Sequence, residues 1–448
     1  MKKRMLTMLL AGTMALSLAA CGGAAASTDG AAASDDTAAA ETTETTESAD
    51  SGEAAPAATG EGIRLVNGKP EIDAQLQALA AKYQEETGKT VTVETIGGDQ
   101  KASDALKGYY QADNMPDIFF VETNDIPDWE GKLVDLAGEQ WTEDTDGELV
   151  VDGKTVGFPY SIEATALGYN KEILDAAGVD PATLTSPDAW KTAVETIDSK
   201  KDELGITAVF GWCTEPANLG WSSGTHVFGQ YLDAGEAWDS TKYIDLLNDG
   251  GKIDEARMKD FAEFIGMMNQ YSDPELVIDG NYDMQVNGFA EGKYAFVTQG
   301  NWIAANMVEN SNYSGFECGF APYAFEDGID TIIGGVPNFW AVYSDGNVDE
   351  SLAFLQWCSE DSAQQILVEE AQLISPYSDC KYTNDAPFAA SIAKYISDGK
   401  ISYWHTMEKK SGLEDKTSVV FNQYAQGAGD ADWFTTTIGS VIADYYAQ

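Results

Sequence analysis

Residues 63 to 121 read strand, helix, strand, helix, strand, and this alternation constrains the fold more than any other feature of the chain. Ile63-Arg64-Leu65-Val66 is a short apolar run closed by Asn67-Gly68-Lys69-Pro70. Pro70 suits the first position of a helix, where its missing N–H is not needed. Ile72, Leu76, Leu79, Ala80 and Tyr83 then fall on one helical face, with Gly88 placed as a C-cap. Residues 90–96, TVTVETI, alternate like a strand, and 102–111 read as a second helix. After a turn at Asn114-Met115-Pro116-Asp117, the run IFFV at 118–121 is a third strand. The pattern predicts an α/β fold with a parallel sheet and helices on both faces.

The rest of the chain continues in this style. Phe158-Pro159-Tyr160 breaks the chain after Gly157; ATALGYN then reads as a strand, and KEILDAAG as a short helix ended by Gly178. Ser186-Pro187 has the form of an N-cap followed by Pro at the first helical position, leading into Trp190, Val194 and Ile197. A further amphipathic helix carries Phe261, Phe264, Ile265 and Met268. GKYAFVTQ is a strand that ends in Gln299-Gly300-Asn301-Trp302. Residues 351–370 are a helix pair or one bent helix, and 384–448 are mostly helical. At 448 residues the chain is too long for one ordinary core and is expected to form two lobes.

The start of the chain is different. Lys2, Lys3 and Arg4 precede an apolar stretch to Ala20, the form of a secretory signal peptide over residues 1–20. LAAC at 18–21 resembles a bacterial lipobox, which makes Cys21 the expected lipidation site. Residues 21–62 follow as an acidic Ala/Thr/Ser/Glu tether with no Lys or Arg. Such a composition cannot bury a core.

Lys and Arg total 26 against 74 Asp and Glu, a net charge of −48. A surface so acidic repels phosphate backbones, so no nucleic-acid partner is expected. The 11 Trp and 20 Tyr are an aromatic surplus that fits a carbohydrate reader. Beyond Cys21 there are Cys213, Cys318, Cys358 and Cys380, without CxxC spacing, and His226 and His405 are too few and too far apart for a zinc site. No metal, cofactor or catalytic group is expected. No G-x-x-x-x-G-K-[ST] phosphate loop occurs.

Several blocks together resemble the extracellular solute-binding proteins of carbohydrate-uptake ABC transporters. They are MPDIFFVE at 115–122, DGKTVGFPYSIEATALGYNKEIL at 152–174 and FAEGKYAFVTQGNW at 289–302. GFAPYAF at 319–325 and GGVPNFWAV at 334–342 extend the likeness, and NGKPEI at 67–72 opens it. The resemblance implies a periplasmic-binding-protein-like fold, two α/β lobes joined by a multi-strand hinge around a ligand cleft. It places 63–158 with 310–368 in the first lobe and 159–309 with 369–448 in the second, with crossings near 156–162, 303–316 and 366–376. It implies a monomer, lipid-anchored to the outer face of the cell membrane, that captures a mono- or oligosaccharide and delivers it to permease subunits.

A sugar presents C–H faces and a rim of hydroxyls, so its site needs flat aromatics with amides or carboxylates. Trp302, at a strand end, is the leading stacking candidate. Asn301 is a rim partner, and Glu163 and Tyr160 flank the first crossing. Glu122 ends the IFFV strand. Asn67, Lys69 and Glu71 surround the first strand–helix turn, where backbone N–H groups face outward. Trp221 and His226 lie in a Gly-rich aromatic segment, with Trp340 and Trp404 as further candidates. Two alternatives remain at this stage: the same fold binding a polyamine or other cation through acidic and aromatic groups, and a secreted glycoside hydrolase using a carboxylate pair.

Overall fold

The computed structural model describes residues 62–97 and 100–448. The signal peptide, Cys21 and the tether up to residue 61 lie outside the described residues.

Six strands form one sheet in the order Thr90–Thr95, Gly62–Asn67, Ile118–Glu122, Asn338–Val342, Lys154–Pro159, Leu149–Val151. The first three run parallel, and Asn338–Val342 is antiparallel to both of its neighbours. Ile118, Phe119 and Val121 are buried because both faces are covered. One face packs against Leu76, Leu79 and Tyr83 of the helix Asp73–Thr87, the other against Leu106 and Trp129. That first helix begins at Asp73 rather than Pro70, since Pro70–Ile72 forms a tighter 3₁₀ turn. It ends at Gly88, whose φ of 75° is left-handed and suits glycine.

A second, four-stranded sheet has the order Cys318–Ala321, Leu167–Asn170, Tyr294–Val297, Ala208–Gly211. Trp190, Phe210, Phe264 and Phe296 pack in the core on one side, and Phe289, Tyr294, Phe320 and Phe388 on the other. The helix Pro187–Ser199 that brings Trp190 inward starts at Ser186, whose hydroxyl accepts from Ala189 N–H at 3.3 Å.

A three-stranded sheet, Ile401–Ser402, Ile332–Gly335, Glu163–Thr165, joins the two lobes. The chain passes from Lys154–Pro159 through Glu163–Thr165 into Leu167–Asn170. It returns from Ile332–Gly335 directly into Asn338–Val342. Ile162 pairs antiparallel with Ile374 beside the first of these connections.

The return crossing differs from the boundary at 310 expected from sequence. Cys318–Ala321 pairs with Leu167–Asn170, so these residues belong with the second sheet, and the first sheet is re-entered at Asn338. The apolar run CGFA carries no mark of which sheet it joins, because buried strands of either lobe read alike. Residues 351–370 resolve into a helix ending at Cys358, a short helix Asp361–Gln365 and a π-helical turn Ile366–Glu370. Cys213, Cys318, Cys358 and Cys380 are free thiols. Among the described residues no helix is long and apolar enough to cross a membrane.

Candidate functional site

The strand Tyr294–Val297 delivers the chain to the joint between the lobes, and Gly300 pairs there with Thr165 of the linking strand. A Cβ at Gly300 would overlap the Trp302 ring and lie 2.5 Å from the Ala164 carbonyl oxygen. Only glycine lets the indole fold back over its own turn. The Trp302 N–H donates to Gln299 Oε1 at 2.9 Å, and Gln299 Nε2 donates to Gln285 Oε1 at 2.7 Å. Gln285 Nε2 in turn donates to the Gly211 carbonyl at 2.8 Å and Thr298 Oγ1 at 2.9 Å. Both glutamines are fully buried, so this amide relay fixes the indole to the ends of two strands.

Around Trp302 stand three more rings. His226 lies 4.8 Å from it, Trp404 6.1 Å and Trp221 6.3 Å, between ring centroids. His226 comes from a π-helical stretch, Ser222–Val227, and is uncharged: burial, with Lys409 and Lys69 nearby, lowers its pKa to about 3. Its Nδ1 and the Trp404 N–H are buried without a hydrogen-bond partner among the described residues. Buried orphan polar atoms beside a cleft are groups that a polar ligand can satisfy.

The opposing wall is charged. Lys69 Nζ lies 2.5 Å from Glu163 Oε1 and 3.0 Å from Glu71 Oε1. Burial works against the Lys69 charge, but Glu163 and Glu71 outweigh it and hold the pKa well above the ordinary lysine value. Burial raises that of Glu163. Asn67 shapes this turn: its Oδ1 accepts from Lys69 N–H at 3.0 Å and its Nδ2 donates to the Lys69 carbonyl at 2.7 Å. Lys69, Glu71, Glu163 and Trp302 line one common space, about 10 Å³, enough for little more than one water-sized group. Lys101 and Asp415, 2.7 Å apart, form a second ion pair between the lobes. The jaws are therefore closed.

Glu122 stands at the end of its strand, and its carboxyl is pushed up to about 8 by burial and by Asp125, with Lys409 opposing. The hydroxyl of Tyr160 is buried and unpartnered among the described residues. Tyr160 stacks on Trp340 at 4.6 Å and 12°.

Trp340, expected to meet ligand, is placed otherwise, whereas Asn301 lines the space beside Lys69 while also serving the turn. Trp340 lies wholly within the first-lobe core, between Tyr160 and Phe158, because its strand is central in the sheet. Asn301 is buried and its Oδ1 accepts from Ala164 N–H at 2.8 Å, so its amide ties the turn to the linking strand. Lys69, Glu71, Glu163, His226, Trp221, Trp302 and Trp404 gather at one place between the sheets, with Glu122 and Tyr160 beside Lys409 and Lys69 respectively. Three participants carry no local sequence signal: Gln285, Lys409 and Tyr282, whose ring lies 6.0 Å from Trp221. Gln285 sits nine residues before the strand, on a helix that shows only its apolar face to periodicity.

A family profile described as bacterial extracellular solute-binding protein matches residues 78–393, more than half of the chain. A search of curated proteins gives no match. Among solved structures, a RafE solute-binding protein in complex with raffinose is 18% identical, with 86% of this chain and 99% of that chain covered at a TM-score of 0.69. A Bacillus licheniformis sugar transporter protein in complex with stachyose is 16% identical over 85% and 98% of the two chains, TM-score 0.67. The GacH receptor of Streptomyces glaucescens, studied unliganded and with acarbose, is 20% identical over 86% and 97%, TM-score 0.65.

Proposed function

The chain belongs to the bacterial extracellular solute-binding proteins, and from that premise we propose that it captures a mono- or oligosaccharide between its lobes and delivers it to the permease of an ABC importer. The observation that carries this reading is the aromatic group of Trp302, Trp404, His226 and Trp221 facing the Lys69–Glu163–Glu71 cluster across one cleft. Indole faces take the C–H face of a sugar, at about 25 cal/mol per Å² of apolar surface buried. Carboxylates, Lys69 and the unpartnered Tyr160, His226 and Trp404 groups suit its hydroxyls. A charged Lys69 and a neutral His226 disfavour a cationic ligand. Raffinose, stachyose and acarbose in the related structures are saccharides or close relatives of them, which supports the same class here.

The closed space holds no sugar ring, so capture requires the lobes to part and re-close, with Glu163–Thr165, Ile332–Gly335 and the Ile162–Ile374 bridge as the bending segments. The LAAC motif supports lipidation of Cys21, so that a monomer hangs from the outer face of the membrane by the 21–62 tether. Calorimetry against a panel of soluble saccharides tests the reading. Binding by at least one of them, abolished in Trp302→Ala, is the expected result. Titrations that stay flat for every saccharide would overturn it.

A further inference from the structure

Trp221 is 37% exposed, unusual for so large a ring, and it is not isolated. On one side it meets Trp302 at 6.3 Å, on the other Tyr282 at 6.0 Å. The three rings touch in succession, from Trp302 through Trp221 to Tyr282. Beside Tyr282 is a groove of about 200 Å³, far larger than the space beside Lys69. Its walls are two helices, Tyr282–Ala290 and Ala304–Glu309. Tyr282, Asp283, Asn287, Asn306, Glu309 and Asn310 line it.

This groove is built rather than incidental. The Tyr282 hydroxyl donates to Asn306 Oδ1 at 3.0 Å, and Asn310 Nδ2 donates to Asn287 Oδ1 at 2.8 Å. These bonds fix both amide planes. The side-chain Nδ2 groups of Asn306 and Asn287 make no hydrogen bond among the described residues, and so remain as donors. Two carboxylates supply acceptors, and the lining holds no Lys or Arg, so an anionic ligand is disfavoured. Oriented amides and carboxylates beside a flat ring are the groups a pyranose unit uses.

We infer that the groove between Tyr282 and Asn310 is a second saccharide subsite, continuous with Trp302 across the exposed face of Trp221, and that the ligand is an extended oligosaccharide with units outside the closed jaws. This rests on the proposed saccharide binding. The rival occupant is a cation drawn to Asp283 and Glu309.

The test is calorimetry on the full chain with length series of soluble oligosaccharides, from disaccharide to pentasaccharide, for wild type, Trp221→Ala and Asn306→Ala. Circular dichroism checks that each variant folds, and Asn287→Ala serves as a second groove variant that leaves the Tyr282 bond in place. In wild type, affinity should rise about tenfold or more with length, a gain of about 1.4 kcal/mol. Asn306→Ala and Asn287→Ala should lose that gain while keeping wild-type affinity for the shortest ligand that binds, and Trp221→Ala should weaken long ligands more than short ones. Affinity independent of length, or Asn306→Ala and Asn287→Ala that weaken all lengths equally, would overturn the subsite while leaving saccharide capture intact. Calcium or spermidine binding that Asn306→Ala weakens, with no length dependence for sugars, would assign the groove to a cation instead. No binding of any saccharide to wild type would remove the proposed function and the subsite together.

Discussion

Lys69 Nζ lies 2.5 Å from Glu163 Oε1, joining the first strand–helix turn to the strand that links the lobes, 94 positions later. Glu71 holds the same ammonium at 3.0 Å. The two carboxylates are therefore not equivalent to the lysine in the consequences of their loss. Glu163→Gln leaves Lys69 with Glu71 and should cost about 1–3 kcal/mol, the range for a charged hydrogen bond. Lys69→Met leaves two carboxylates facing each other and should cost about 3–5 kcal/mol. Urea unfolding of both variants measures this order; a smaller loss for Lys69→Met would show that the pair does not hold the closed form.

The two tryptophans near the lobe joint should separate stability from binding. Trp340 is fully buried between Tyr160 and Phe158, so Trp340→Ala should cost about 3–5 kcal/mol. Trp302 is half-buried, with one hydrogen bond from its indole N–H, so Trp302→Ala should cost less than half as much in thermal unfolding.

Gly300 should be intolerant of any side chain. Gly300→Ala would place a methyl group against the Trp302 ring and the Ala164 carbonyl. Displacing the indole should weaken ligand binding about tenfold or more, with an overpacking cost of about 1–3 kcal/mol. Tryptophan fluorescence and thermal unfolding read the two effects, and unchanged fluorescence would show that the ring does not depend on the glycine.

Glu122 and His226, beside the cleft, give opposite pH slopes. Glu122 has its pKa raised from 4.5 to about 8, so between these values the folded form holds a proton that the unfolded chain has lost. Its contribution to stability is present at low pH and is lost as pH rises through about 8. Asp125 beside it shifts in the same direction. His226 is lowered from 6.5 to about 3, so the unfolded chain takes the extra proton, and stability is lost as pH falls across that window. Glu122→Gln should flatten the decline on the alkaline side, and His226→Gln the decline on the acid side, in denaturation profiles against pH.

Much of the fold is legible in the chain because its signals are local. The alternating residues 90–96, the Ser186 cap and the Gly88 stop each report a backbone state that neighbours alone determine. Trp302 is legible for the same reason, since a Gly-Asn break after an apolar strand marks where a chain turns at a sheet's edge. What is not legible arises between distant segments. Gln285 and Gln299 form one relay only after a helix and a strand end have packed together. Asn301 lines the cleft, but its Oδ1 also accepts from Ala164 N–H, 137 positions away in sequence, a tie no local pattern shows. Cys318–Ala321 could have joined either sheet by composition, and its pairing with Leu167–Asn170 decides the matter.

The measurement closest to the central claim is calorimetric titration of the wild type and Trp302→Ala with the same saccharide, alongside small-angle scattering of the wild type with and without it. The account predicts binding to the wild type, none to the variant, and a change in particle dimensions as the lobes part and close on the sugar. Equal affinity in Trp302→Ala, or a wild type that binds a diamine or peptide and no saccharide, would contradict it.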